Sequence, residues 1–404
     1  MAWKDRSAVK PQLNSLLILV ESPFGAYDAE RFDIDRLAQM LDVVVIDITP
    51  LVKPDYWNLY RDRAIPHPNI RVATSWESVA SILSSRSWHA WIDELGVSGT
   101  AQRIRRRLRR ARCARVRIRL GLLPGDFIIK SNAKARLAAR RSQLGVFGVV
   151  RNLVLYLPRR IATRIPAPDL VLGSGSFTER DVPAGSTIIW AHSFDYEKAF
   201  VERESGSQRP KYAAVFLDQN LGYHPDQLHS GIQSPVDVDS YYEGIRKVFD
   251  RVESVIGGRV TVAVHPKSSF ADTTSIFGGR EGVRAGAQTL VGTTELVLCH
   301  ASASLSYAVI WRKPVLFLTS DDLDKSWYKS HIQEMARILN RPVLNIDTLE
   351  RVTSVQLEAM IRQPVEEQRY KEYEEQFIKS KFSGDGRLWQ LFADGLNAYV
   401  AARH

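Results

Sequence analysis

Val262-Ala263-Val264-His265-Pro266-Lys267-Ser268-Ser269 decides how this chain is read, together with Leu296-Val297-Leu298-Cys299-His300-Ala301-Ser302-Ala303-Ser304 downstream. Each is a short apolar run of strand character that ends in polar donors. The second leads directly into the apolar helical run Leu305–Trp311. In an open α/β sheet, ligands gather outside the carboxyl ends of the strands, where helix N-termini offer free N–H groups to an anion. Proline after His265 stops the ladder and leaves the imidazole at the strand's edge. Two such strand ends in one half of the chain predict a single nucleotide pocket. His265, Pro266, Lys267 and Ser268 would come from the first end, and His300, Ser302 and Ser304 from the second.

Outward from these motifs, strands alternate with helices. In the first half, strands are predicted at Leu16–Glu21, Val43–Ile48, Asn69–Ala73, Trp88–Ile92, Val116–Leu120, Asp169–Leu172 and Ser186–Trp190, with helices at Ala29–Leu41 and Trp76–Ser84. The polar, turn-rich stretch Glu202–Pro210 reads as a linker. A second run comes after it, with strands at Tyr212–Leu217, Val260–Val264, Leu296–Cys299, Pro314–Leu318 and Pro342–Ile346 and a long helix at Val238–Ile256. Alternation of this kind indicates parallel sheets covered on both faces. The expected fold class is α/β. Two Rossmann-like domains, 1–201 and 211–404, face a cleft, and a helical tail over Glu366–Ala402 breaks at Ser383–Gly386.

The chain has 404 residues, 45% apolar and 25% charged, which suits two globular domains. Cys113 and Cys299 are the only cysteines, so neither a disulfide framework nor a zinc site built on cysteine is expected, and a reducing, cytoplasmic setting is. The first apolar run, Leu16–Val20, is too short for a signal peptide, and no apolar run is long enough to span a bilayer.

The net charge of +10 is unevenly distributed. Between Arg103 and Arg164 stand 19 Lys/Arg and a single acid, Asp126. In Ala101–Ala111, the residues Ala101, Ile104, Leu108 and Ala111 form an apolar stripe within a shell of arginines. A basic helix of that design predicts contact with an anionic membrane surface or an anionic glycan acceptor. Nucleic acid is disfavoured, because no aromatic platform accompanies the basic run.

Two Rossmann-like halves with a linker between them resemble the GT-B architecture of glycosyltransferases. The His265-Pro266 motif followed by the Ser302/Ser304 turn is similar to bacterial GT-B sialyltransferases and polysialyltransferases. That resemblance implies a CMP-sugar donor bound by the histidine and the serines. It also implies a general base from an acidic motif in the first domain, matched here by Asp93-Glu94-Leu95-Gly96 with one inserted residue, Leu95. The activity it implies is transfer of an acidic sugar, sialic-acid-like or Kdo-like, onto a glycan or lipid-linked glycan acceptor in the assembly of lipopolysaccharide or capsule. CDP-glycerol-using transferases of teichoic acid synthesis carry the same two motifs, so a CDP-alcohol phosphotransferase stays open. So do a UDP-sugar epimerase of the same fold and a non-catalytic glycan-binding scaffold.

Inverting transfer needs a carboxylate to take the acceptor's proton as the donor bond breaks. Asp93 and Glu94, at a strand end, are the first candidates, although the pair would also serve to cap the helix beginning near Thr100. Asp195 and Glu21 compete with them. Asp218 and Gln219 follow the first strand of the second half and either bind donor hydroxyls or simply turn with Gly222. No metal ligand set is expected, since Asp33-Ile34-Asp35 lies in a helical run that aims its acids at different faces. No cofactor is expected beyond the donor substrate itself.

Overall fold

The structure, a computed structural model, describes residues 13–125, 165–204, 211–223, 234–265, 268, 273–284 and 286–403. Pro266, Lys267, most of the expected linker and the basic run from Asp126 to Arg164, with its expected helix at Lys134–Leu157, lie outside the described residues.

The first sheet is built from β1 (Ser15–Val20), β2 (Asp42–Asp47), β3 (Ile70–Val72), β4 (Ala90–Glu94), β5 (Ala114–Arg119), β6 (Leu170–Gly173) and β7 (Thr187–Trp190). The second is built from β8 (Tyr212–Leu217), β9 (Val260–Val264), β10 (Gly282–Arg284), β11 (Thr294–Cys299), β12 (Val315–Thr319) and β13 (Val343–Asn345). The spatial orders are β3-β2-β1-β4-β5-β6-β7 and β10-β9-β8-β11-β12-β13, with parallel pairing throughout. Both central strands are apolar at nearly every position, because helices cover both faces of each sheet. The architecture is GT-B: two parallel α/β sheets and a helical C-terminal tail. Among the described residues, no helix is long and apolar enough to cross a membrane.

Six helices bear on function. They are α1 (Ala26–Phe32), α2 (Gly99–Arg110), α3 (Phe194–Glu204), α4 (Val238–Ile256), α5 (Leu305–Ile310) and α6 (Leu388–Ala401). The single helix expected over Ala29–Leu41 is two, because Asp33 adopts φ 43° and ends α1. Helix α4 has the bounds its periodicity predicts, with Asp237 accepting from the Ser240 amide at its start and Gly257 left-handed at its end.

Helix α2 is capped by Ser98, whose hydroxyl accepts from the Ala101 amide at 3.1 Å. Its inward stripe differs from the predicted one. Ala101, Ile104 and Leu108 are buried as expected, but Gln102 and Arg105 join them and Ala111 is exposed. One face of the first sheet packs Leu17, Leu19, Ile46 and Trp91 on this helix. The other packs Leu16, Ile18, Val43 and Ile92 against α1 and α6.

Among the described residues, the chain passes to the core of the second sheet after β7 and returns to that of the first at α6. Ala199 of α3 sits in the core of the second sheet, so the second unit begins ahead of the expected linker, just after β7. Leu388, Trp389, Phe392, Leu396 and Val400 of α6 return to the core of the first, so the terminal helix does not belong with 211–404. The outgoing and returning segments run side by side. His192 and Lys379 form an antiparallel bridge, and the Ser193 amide donates to Ile378 O at 2.8 Å. Gly175 permits this approach, since a Cβ there would collide with the Gln376 carbonyl.

Candidate active site

Strand order reverses at β1/β4 in the first sheet and at β8/β11 in the second, and such reversals open crevices at the carboxyl ends of the strands. The described residues singled out above as site candidates stand at or beside the strand ends that border these crevices, except Asp195.

At the first crevice, Val20 pairs with Glu94 in register, so Glu21 and the Asp93–Gly96 loop emerge together. Asp93 and Glu94 point to opposite faces of β4, and the two carboxylates have different fates. The Asp93 side chain is fully buried. Its oxygens accept from Arg105 Nε and Nη2, both at 2.9 Å, and from Arg115 Nε at 2.7 Å. Arg105 also donates to Leu95 O and Gly96 O, both at 2.7 Å. One buried arginine of α2 thus holds the whole loop in shape. Two guanidiniums on one carboxylate make Asp93 a charge-paired strut whose oxygens are already engaged.

Glu94 lies on the other face, its side chain 32% exposed, with Arg31 of α1 at 3.9 Å. Desolvation in the crevice holds its carboxyl above the ordinary glutamate value, opposed by Arg31 and assisted by Asp93 and Asp28. A carboxylate with raised proton affinity and an open face has the properties of a general base. Beside it, Glu21 pairs with Lys53 Nζ at 3.1 Å and packs beneath Gly96, where a Cβ would collide with the Glu21 carboxylate.

At the second crevice, Asp218 follows β8. Burial pushes its carboxyl up to about 6, opposed by the backbone amides of Asn220, His265 and Gln219. The Asn220 amide donates at 2.9 Å and the His265 amide at 3.3 Å, so Asp218 ties the end of β8 to the end of β9. Gln219 does the same for β11: its Nε2 donates to Ala301 O at 2.7 Å and its Oε1 accepts from Ala301 N at 3.0 Å. Both residues face inward onto backbone, which favours the turn-building reading of the two left open by the sequence. His265 is half-buried at the strand edge, and Ser268 folds back so that its amide donates to His265 O at 2.9 Å. Arg284, at the end of β10, donates to Ser268 O at 2.9 Å.

His300 is spent in the core. It is fully buried, its Nδ1 is 2.7 Å from Leu318 O and its Nε2 is 2.7 Å from Tyr241 Oη. A carbonyl only accepts, so Nδ1 carries the proton and Nε2 accepts from the tyrosine. Burial lowers its pKa to about 4. With both nitrogens engaged, His300 has no atom left for a ligand, and the expectation that it contacts one gives way to a role in joining β11, β12 and α4. Ser302 and Ser304 do stand at the crevice, at the start of α5, where the Ser304 amide donates to Ser302 Oγ at 3.2 Å.

Asp195 begins α3, which packs on α5. Burial raises its carboxyl to about 6, opposed by the hydroxyl of Tyr307, by Lys198 and by the hydroxyl of Ser306. It braces the helix that carries the serine turn. No sequence signal marks Arg31, Arg105, Arg115, Tyr241 or Tyr307, because each meets its partner only through the fold. Among the described residues, no group of three or more His, Cys, Asp or Glu side chains could hold a metal ion.

No family model matches the sequence, and no curated protein matches it. Solved structures do. The calicheamicin glycosyltransferase CalG4 matches with a TM-score of 0.53 at 10% identity, over 97% of this chain and 99% of that one. A variant of the wall teichoic acid polymerase TagF gives 0.53 at 12% identity, over 98% and 90%. Os79 from O. sativa, in complex with UDP, gives 0.50 at 14% identity, over 95% and 100%. At these identities the likeness is one of fold, and it spans the whole GT-B arrangement.

Proposed function

We propose that this chain is a glycosyltransferase. In this reading the second domain holds a nucleotide-sugar through His265, Ser268 and the Ser302–Ser304 turn, and the first domain holds the acceptor. Glu94 takes the proton from the acceptor hydroxyl as its oxygen attacks the sugar carbon. The bond from that carbon to the nucleotide phosphate breaks, and the phosphate leaves with the electron pair. The observation that carries the reading is the contrast within one dipeptide: Asp93 is neutralised by two arginines, while Glu94 next to it stays open with raised proton affinity.

The finer reading is a CMP-activated acidic sugar, supported by the similarity of the His265-Pro266 and Ser302/Ser304 motifs to CMP-sugar enzymes. The acceptor is a glycan, and the arginine shell of α2 favours one presented at an anionic membrane face. The likeness to a teichoic acid polymerase favours a second reading, a CDP-alcohol donor with transfer of a phosphoalcohol. A thermal-shift series with CMP, CDP and UDP separates them. A nucleotide at about 100 times its dissociation constant adds roughly 2.7 kcal/mol of stability. CMP should give the largest shift, and His265→Ala should remove most of it. A CDP-only response selects the second reading, a UDP-only response points to a UDP-sugar enzyme, and no response to any of the three defeats the enzyme reading.

A further inference from the structure

We propose that the α2 face of the first domain is a seat for an anionic lipid bilayer, with the helix Pro54–Tyr60 as its interfacial anchor. The proposal rests on the membrane-presented acceptor of the preceding reading and adds which surface meets the lipid and how the crevice is oriented.

The helix Pro54–Tyr60 connects β2 to β3 and contains Tyr56, Trp57, Leu59 and Tyr60, yet none of its residues is buried. Leu59 is 65% exposed. The rings of Tyr56 and Tyr60 lie 4.8 Å apart, and the Arg63 guanidinium stands 4.4 Å over Tyr60. Tyrosine, tryptophan and leucine interleaved with Lys53, Arg61 and Arg63 match the chemistry of a headgroup boundary, where rings and aliphatic stems enter the lipid and charged tips stay in water.

The residues that lead into this helix pack on the core that α2 covers. Leu51, Val52 and Trp76 pack partly buried on the same core that takes Ala101, Ile104 and Leu108 of α2. The Arg103 guanidinium lies 3.7 Å over the Trp76 ring. Arg103, Arg106, Arg107, Arg109, Arg110 and Arg112 are all exposed, and no acid occurs between Gly99 and Arg112. The first domain therefore offers cations over α2 and its C-terminal turn, and amphipathic rings on the helix Pro54–Tyr60. Anionic lipid complements both, whereas an acidic protein complements only the first.

The anchor is wired to the crevice. Lys53, immediately before the helix, holds Glu21 at 3.1 Å, and Glu21 packs under Gly96 in the loop that follows Glu94. The lipid-facing helix thus reaches the catalytic loop through Lys53 and Glu21. A bilayer seated there would border the mouth of the first crevice through Lys53 and Glu21, and a lipid-linked hydroxyl would enter from that side.

The test uses the full chain and vesicles of neutral lipid with or without about one-quarter phosphatidylglycerol. Wild type should co-sediment with the anionic vesicles only, and release at high salt. Replacing Arg106, Arg107, Arg109 and Arg110 with Gln should weaken low-salt binding at least tenfold. Bromine-labelled lipid should quench part of the wild-type tryptophan emission, and Trp57→Phe should remove that part. Leu59→Asp should also lose the quenching while keeping salt-sensitive attraction. Failure of wild type to bind anionic vesicles, or unchanged quenching in Trp57→Phe, overturns the proposal, as does tighter binding to a short RNA duplex than to vesicles. Each variant is also tested for its nucleotide shift. A normal shift without vesicle binding defeats the bilayer seat alone, and vesicle binding without any nucleotide shift defeats the transferase reading alone.

Discussion

Gln219 and Ala301 close a two-bond ring across the second crevice: the side-chain amide donates to the alanine carbonyl and accepts from its amide, at 2.7 and 3.0 Å. A side chain here completes what a further strand residue would do, and it fixes the distance between the loop after β8 and the serine turn after β11.

Gln219→Ala leaves both backbone groups of buried Ala301 without that partner. Such a loss costs about 1–3 kcal/mol. Gln219→Glu keeps the acceptor but turns a carboxylate oxygen toward the Ala301 carbonyl, so it should be no better. Urea denaturation measures both. A Gln219→Glu protein as stable as wild type would mean that the ring is unimportant.

The dipeptide Asp93-Glu94 should separate cleanly by mutation. Glu94→Gln is expected to lower turnover about 10²–10⁴-fold, with nucleotide binding retained. Asp93→Asn leaves two buried guanidiniums without their counter-charge and should instead cost about 3–5 kcal/mol of stability. The base must be ionised, so kcat/KM should fall as pH drops through the raised carboxyl value of Glu94. Arg31 opposes that raise, and Arg31→Ala should move the acid limb to higher pH. An unmoved limb removes Glu94 from the role.

His300 gives a pH signature of the opposite kind from its acidic neighbours. The unfolded chain takes up a proton near the ordinary 6.5, while folded His300 does so only near 4. Its contribution is complete above about 6.5 and is lost as pH falls through 4. Asp195 and Asp218 keep protons up to about 6 when folded, so they add stability as pH falls from above 6 toward 4. His300→Gln removes the first effect and leaves the second. Between pH 7 and 4.5 the variant should lose about 2–3 kcal/mol less than wild type, or gain that much more. Denaturation at both pH values checks this, and equal pH dependence in the two proteins would refute it.

Gly125 touches His331 of the helix Tyr328–Leu339 across the cleft, and a Cβ would collide with the imidazole Nδ1 and sit 2.8 Å from the His331 Cα. Backbone cannot yield as a side-chain tip can. Gly125→Ala should therefore cost about 1–3 kcal/mol or part the contact. Parting shows as a larger radius of gyration in solution scattering. An alanine variant with wild-type stability and dimensions would show that the contact is slack.

The sheets were legible because their central strands are apolar at nearly every position, and the strand ends stood out because polar donors come directly after them. Helix α4 was legible from its apolar periodicity, with Asp237 and Gly257 marking its ends. What escaped was whatever depends on a distant partner. Nothing in a run of arginines distinguishes Arg105, which is buried on Asp93, from Arg106, which is exposed. His300 looked like a strand-end ligand until Tyr241 met it from 59 positions away. The fate of α6 was equally hidden, since its apolar face suits either core.

The paired crossings at His192 and Lys379 have a mechanical meaning. A single connecting strand would let the two domains swivel, slide and twist on one another. Two antiparallel segments, bonded to each other and pinned by Ser174 and Ser193, remove most of those freedoms and leave chiefly rotation about one axis. Substrate capture would then be a change of one angle. The face of the first crevice would swing toward the second along a fixed arc, and Glu94 would meet the donor from the same direction in every cycle.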